Sequence, residues 1–537
     1  MLDIKIVSGT VFDGSGAPPR SVDVGICDSR IEKLGDLSGV EAEKEIDATG
    51  LAVAPGFIDV HTHSDFTLFL NGRAESTVRQ GITTVVTGTC GHGCAPIGNP
   101  ELVRLNLLGY RSDWSTSLEW RTFGEYVGKL VDQGVSCNVL SLVGHGALRL
   151  AVMGFTPRVA TADELAQMCA LLSDAMEAGA AGLSTGLEYP PGWHADLREL
   201  TALVSIVTNW SGLYSTHVRG RAADFVEAVE EALTVGRETG APVQMSHLAP
   251  RPYAPADALD LVLARVDRAR AEGQHVGIDT LIDVWGPSSV TCLLPPGFTE
   301  APPDDVLQRL ASPGWRQTVA NHLSSPGNYL VQTAGLDQLF FQFAPNSPDV
   351  AGLSLAEVAA RWGKPPAEVV CEVLLREGRD FYNAALRHIY AEREAILRLL
   401  QHPYCVPMSD GVATARYGPL AGYALNRSSY GWTARFLNEY AGSDALFPME
   451  EAIRRVTSLP AELLGLAGRG MIKEGACADI TLLDLDRLED VTSDADPFGY
   501  PNGIPYVLVN GRITVAPEGH SGERAGRLLR PDGPIRS

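Results

Sequence analysis

Eight short apolar stretches recur along the middle of this chain, each running into polar residues. They cover residues 51–59, 82–88, 135–143, 180–185, 213–215, 243–246, 275–279 and 404–408. Between them lie amphipathic segments such as 162–178 and 222–239, with apolar residues at helical spacing. Strand, helix, strand repeated about eight times predicts an α/β fold, a (β/α)8 TIM-like barrel of parallel strands. The interval 285–400 is too long for one crossover and is expected to be an inserted subdomain beside the barrel mouth. Pro448 suits the first turn of a last helix over 449–458, and Pro460 ends that helix or starts another.

The two ends of the chain read as β-rich. Residues 3–8, 22–27 and 30–34 alternate around the turn-rich segment 13–19. Near the other end, 479–485 and 504–509 do the same, the second followed by the hairpin dipeptide Asn510-Gly511. The expected organisation is a barrel over 55–465, with 1–54 and 466–537 packed together as one small β-sandwich.

Five of the apolar stretches end on metal-ligand residue types: His61 and His63, Cys90, His217, His247 and Asp410. Strand side chains alternate, so His61 and His63, two apart, point to one side and can grip one ion; Asp65 shares that face. Parallel strands closing into a barrel bring their C-terminal ends to one mouth. Imidazoles, a thiolate and a carboxylate meeting there suit zinc. Each residue also has a plainer reading alone, as a strand-end hydrogen-bonding histidine, a small buried thiol or a turn aspartate. Cys94, four residues after Cys90 in Cys90-Gly91-His92-Gly93-Cys94, competes for the thiolate role.

Composition narrows the partners. A formal net charge of −22 over 537 residues argues against nucleic acid or an anionic membrane surface. No apolar run approaches a membrane span, and the N-terminus lacks the apolar core of a signal peptide. Nine scattered cysteines suit free thiols, and a cytoplasmic protein is expected.

The ordered motifs then converge on one family. Pro55-Gly56-Phe57-Ile58-Asp59-Val60-His61-Thr62-His63-Ser64-Asp65, Gly182-Leu183-Ser184-Thr185-Gly186-Leu187-Glu188-Tyr189, Ser215-Thr216-His217-Val218-Arg219, Ser246-His247-Leu248 and Ser409-Asp410-Gly411 resemble the D-aminoacylase (N-acyl-D-amino-acid deacylase) branch of the amidohydrolase superfamily. The resemblance spans nearly the whole chain and implies zinc-dependent hydrolysis of a C–N amide bond in a small molecule. It implies one tight zinc on Cys90, His217 and His247, and a weaker second site on His61, His63 and Asp410, with Asp410 as catalytic base. His145, Tyr189 and Arg219 are candidates for an additional donor to the substrate.

The chain departs from the family where the substrate carboxylate is held. Ala249 stands where the family has a lysine, and Leu281 where it has a tyrosine; Arg427 aligns only loosely with a family arginine. Asp283, nearby, would repel a carboxylate. Altered carboxylate recognition is therefore expected, with simple N-acyl-D-amino acids as poor substrates, unless Arg251 fills the lysine's place. A cyclic-amide hydrolase or deaminase, or an inactive structural relative, are the alternatives; no oligomeric state follows from the sequence.

Overall fold

The computed structural model describes residues 1–104, 107, 118–442, 445–494 and 496–533. Eight parallel strands carry the middle of the chain: β1 Phe57–Asp59, β2 Ile82–Thr87, β3 Asn138–Ser141, β4 Gly182–Gly186, β5 Leu213–His217, β6 Val243–Met245, β7 Val276–Leu281 and β8 Cys405–Met408. One sheet pairs β1, β2 and β3; another runs from Val143–Gly144, which continues β3, through β4, β5, β6 and β7 to β8. Leu142 donates its N–H to Thr87 (2.9 Å), and Ala181 donates to Ser141 (2.8 Å), which joins the two sheets. At the far side, Asp410 N–H donates to the His61 carbonyl (3.2 Å) and His63 N–H to that of Gly411 (2.8 Å), so β8 returns to β1.

β2 and β7 are buried along their whole length, as expected of strands covered on both faces. The covering helices follow the predicted pattern. Ala162–Glu177 begins with a capping box between Thr161 and Glu164 and buries Met168, Leu172, Ala175 and Met176 along one stripe. Phe225–Thr239 ends on Gly240 in a left-handed conformation. Met449–Val456 is followed by a separate helix, Ser458–Leu463, that contains Pro460.

The apolar run 51–59 is two strands, not one. Ala52–Pro55 pairs with Ile480–Leu483, whereas β1 pairs with β2. Gly56 makes the break: a Cβ there would fall 2.2 Å from the Thr83 hydroxyl, so only glycine lets the chain pass from one sheet to the next. Both chain ends thus share a seven-stranded sheet, and Ile4, Ile6, Val24 and Ile26 pack with Ile480, Leu482 and Leu508 in one core. Asn510-Gly511 turns the hairpin between Tyr506–Val509 and Arg512–Ala516, both residues at positive φ. The expected insertion contains a three-stranded antiparallel sheet of Trp285–Ser289, Ala385–Ile389 and Phe340–Phe343, with its own core around Phe298, Phe341, Leu355 and Leu374. Helix Arg393–Gln401, within the same interval, packs instead on β7 and β8.

A buried polar knot ties the C-terminal strands to β3. The Asp479 carboxylate pairs with Arg469 and accepts from the Asn510 N–H (2.8 Å) and from Asn138 Nδ2 (3.3 Å). Asp479→Ala would leave the Arg469 guanidinium buried without its partner. We expect a loss of about 3–5 kcal/mol, read from the shift in chemical-denaturation midpoint; a change below about 1 kcal/mol would show that the knot carries no such weight.

Candidate metal centre

The predicted ligands meet at the C-terminal ends of β1, β2, β5, β6 and β8. Cys90 Sγ lies 3.2 Å from Nε2 of His61 and 3.2 Å from Nε2 of His247. Asp410 Oδ1 lies 3.0 Å from His63 Nε2 and 3.5 Å from His61 Nε2. Among the described residues, His61 with Cys90 and His247, and His61 with His63 and Asp410, form the two groups whose ligand atoms all lie within 4.8 Å of one another. The donor chemistry fits zinc: soft sulfur, imidazole nitrogen and one carboxylate, all buried, at about the spacing that donors to one small cation need.

His217 is placed differently from the expected grouping. Its Nε2 lies 2.8 Å from Glu188 Oε2, and its ring centroid is 4.4 Å from that of His247. With Nε2 facing a carboxylate, Nδ1 is the ring nitrogen left for the cluster. Glu188 is fixed in turn: Arg251 Nη2 donates to both its oxygens (3.0 and 2.8 Å), and Arg221 Nη2 stands 3.7 Å away. Burial raises the Glu188 carboxyl, but Arg251, His217 and Arg221 outweigh it and hold it well below the usual range. Reading by residue type assigned Glu188 and Arg221 no role. The available signal was a glutamate two residues past a fully buried strand, inside a motif already singled out.

Electrostatics separate the two cysteines. Burial raises the Cys90 thiol, but His61 and His247, with hydrogen bonds from His217 and His247, hold it well below its ordinary value. Burial and Asp65 instead push the Cys94 thiol well above it, and its hydrogen-bonding neighbour is Tyr126. Asp65 belongs to this second environment, raised by burial to about 6. Asp410 stays ionised: burial raises its carboxyl, but the His63 hydrogen bond and the charges of His61, His63 and His247 lower it further.

Three of the clustered residues sit in the left-handed backbone region, Cys90 at φ 55°, His247 at 34° and Asp410 at 47°. Such a conformation costs a non-glycine residue about 1–3 kcal/mol and persists only where the surroundings impose it. Here they do. The His247 N–H donates to Asp279 (2.6 Å), Asp410 N–H is held by His61, and Tyr189 Oη donates to the Cys90 carbonyl (2.6 Å). β6 and β8 end two residues before His247 and Asp410, and β2 three before Cys90, so each of these side chains leaves from the turn that follows its strand.

Of the remaining candidates, Tyr189 and Arg251 line the cavity in front of the cluster, which has a volume of about 120 Å3. The others are elsewhere. His145 lies against Glu199 (2.7 Å), which also receives Arg149, in a fully buried triad. Arg219 pairs with Glu231 and donates to the carbonyls of Trp193 and Ala195; β5 ends at His217, so strand alternation no longer directs residue 219. Asp283 lies beyond the end of β7 and pairs with Arg435 (3.1 Å), and Arg427 pairs with Asp490 (3.0 Å). Both line a separate small cleft. The insertion supplies cavity residues that sequence proximity could not reveal, among them Ser288, Cys292, Tyr329 and His388.

The sequence profile of the amidohydrolase family matches residues 44–258 and 350–515. An N-acyl-D-glutamate deacylase of Alcaligenes xylosoxydans xylosoxydans is 34% identical over 99% of this chain and 98% of its own. A crystal structure of D-aminoacylase superimposes with a TM-score of 0.81 at 31% identity, covering 99% of this chain and 100% of that one. The N-acyl-D-glutamate deacylase of Bordetella bronchiseptica, solved with zinc and a phosphonate mimic of the tetrahedral intermediate, gives 0.80 at 31% identity over 98% and 99% of the two chains.

Metal content of two cysteine variants tests the geometry. Cys90→Ala should lose bound zinc, whereas Cys94→Ala should retain it, measured by elemental analysis of protein purified in parallel. Zinc lost only from Cys94→Ala would reverse the assignment.

Proposed function

This chain belongs to the amidohydrolase family, in its D-aminoacylase branch, and we propose that it removes the acyl group from an N-acyl-D-amino acid. Family membership makes it a metal-dependent hydrolase of C–N amide bonds. The finer reading rests on one observation: the buried ligand cluster and Arg251, whose Nε and Nη1 have no partner, line the same cavity.

Zinc is the metal we assign, held tightly by Cys90, His217 and His247, with His61, His63 and Asp410 as a weaker second set. Bound there, it would polarise the scissile carbonyl and lower the pKa of a water from about 16 towards about 7. Asp410, held ionised beside His61 and His63, would take the proton of the attacking water in this reading. It then returns a proton to the leaving nitrogen. Glu188 keeps His217 in one orientation and tautomer, as an outer carboxylate does for a ligating imidazole.

Carboxylate recognition is rebuilt rather than lost in this reading. Ala249 is fully buried and Leu281 lines the cavity, so neither offers a donor. Arg251 uses Nη2 on Glu188 and stacks its guanidinium 4.1 Å from the Tyr329 ring, while its buried Nε and Nη1 have no hydrogen-bond partner. Nε and Nη1 lie on opposite edges of the guanidinium, so a substrate carboxylate would take them one at a time, with Nη1 at the free end as the donor we assign. Asp283, neutralised by Arg435 in its own cleft, does not oppose it. As architecture, we propose that β1 to β8 close as a (β/α)8 barrel, that 1–54 and 466–537 form one β-sandwich, and that the insertion at about 285–400 forms the cavity's second wall.

Two variants separate the catalytic and recognition claims. Asp410→Asn should cut kcat by about 10²–10⁴ while the protein keeps one zinc; near-normal kcat would remove Asp410 from the chemistry. Arg251→Ala should lower kcat/KM for N-acetyl-D-amino acids by about tenfold or more, the loss of a charged hydrogen bond. The matching N-acetyl-D-amino acid amide, which has no free carboxylate, should change little. Equal losses on both would show that Arg251 serves only to hold Glu188.

A further inference from the structure

Beside the ligand cavity lie two further hollows, and the three share walls. Gly286, Pro287 and Leu425 line both the ligand cavity and a narrow cleft of about 20 Å3. Gln342, Arg387, Asp494 and Pro497 line both that cleft and an outer groove of about 430 Å3. The groove is thus more than three times as large as the cavity that holds the ligands.

Most of its wall side chains are apolar, Phe340, Phe343 and Phe498 with Pro345 and Pro348, and Gln342 is a polar member among them. The Arg387–Asp494 pair is the charged exception. It is internally neutral, and the arginine lies flat over Trp285 (4.4 Å) and Phe340 (4.7 Å). In the cleft, Asp283 is matched by Arg435 and Arg427 by Asp490, so no unpaired charge faces a chain passing through. The junction with the inner cavity carries no charged side chain. The partition between cavity and groove is thin: Tyr423 and Leu425 face inward, while Gly422 and Ala424, from the same segment, face outward.

We propose that the outer groove is a distal subsite that takes the apolar end of a medium- or long-chain acyl group whose amide sits at the metal centre. This rests on the deacylase reading above. Arg251 anchors the amino-acid end by its carboxylate, so the acyl end is the part of the substrate left to run out past Gly286, Pro287 and Leu425. The inner cavity admits a short acyl group; a longer one gains roughly fourfold in binding for each methylene it buries in the groove.

The test uses zinc-loaded full-length protein with N-acetyl, N-hexanoyl, N-decanoyl and N-tetradecanoyl derivatives of one D-amino acid. The wild type should show kcat/KM at least tenfold higher for decanoyl than for hexanoyl. Ala351, exposed on the groove's outer rim, provides two variants. Ala351→Trp fills the groove and Ala351→Asp charges it; each should abolish the chain-length gain and leave the N-acetyl substrate within about threefold of wild type. Calorimetric binding of decanoate alone should weaken at least tenfold in both variants. A flat chain-length profile, or a gain and a decanoate affinity unchanged in both variants, overturns the proposal. If no N-acyl substrate is cleaved at any length, the deacylase reading fails instead. Decanoate binding, sensitive or insensitive to Ala351, then decides the groove by itself.

Discussion

The Cys90 sulfur stands 3.2 Å from two imidazole nitrogens, those of His61 and His247, and this contact joins the ends of three strands far apart in sequence. A thiol, four histidines and an aspartate buried together would be costly if each kept its neutral, unpaired form. The cost is offset by mutual stabilisation. His61, with hydrogen bonds from His217 and His247, holds Cys90 ionised, and His61 and His63 do the same for Asp410. Those anions in turn raise His63 to about 9 against the lowering effect of burial, whereas burial takes His247 down to about 4. Taking away any one member leaves the others buried with unmatched charge or dipole. A cation with an affinity for sulfur and nitrogen fits that arrangement better than any further side chain would.

Around the cluster, two carboxylates set its geometry. Asp279 accepts from the His247 N–H (2.6 Å) and from Gln244 (2.9 Å) and lies 3.4 Å from His61 Nδ1, so β7 orients ligands of both β1 and β6. Glu188 does the same for His217 from the other side and is itself held by Arg251. The left-handed conformations at Cys90, His247 and Asp410 survive because these anchors leave the backbone no cheaper alternative. Arg251 therefore steadies His217 through Glu188 and also lines the cavity.

The insertion gives the cavity its second wall. Because it packs around its own apolar core, its strands can present Ser288 and His388 to the ligands without rearranging the parallel sheets. It also forms, with the 421–427 segment and with Ser493, Asp494, Pro497 and Phe498, the walls of the adjoining cleft and groove. The residues that line these hollows thus come from a part of the chain separate from the strands that carry the clustered side chains.

The order of elements, the ligand residues and the family were legible in the sequence because their signals are local. Apolar runs report strands, a two-residue spacing puts His61 and His63 on one side, and a strand end that meets Cys90, His217, His247 or Asp410 marks the same rim each time. Gly56 could have been read as a break, but which sheet each half joins depends on Thr83 and Ile480, partners brought together only by folding. The roles of Glu188, Arg251, Arg219 and Asp283 were decided by tertiary structure alone. Sequence shows a charged side chain and its neighbours along the chain, whereas its pairing depends on which opposite charge is buried beside it. Arg435 took Asp283 and Glu188 took Arg251 from distant elements, and Glu231 took Arg219 from the helix that follows β5, so none of these charges stands alone.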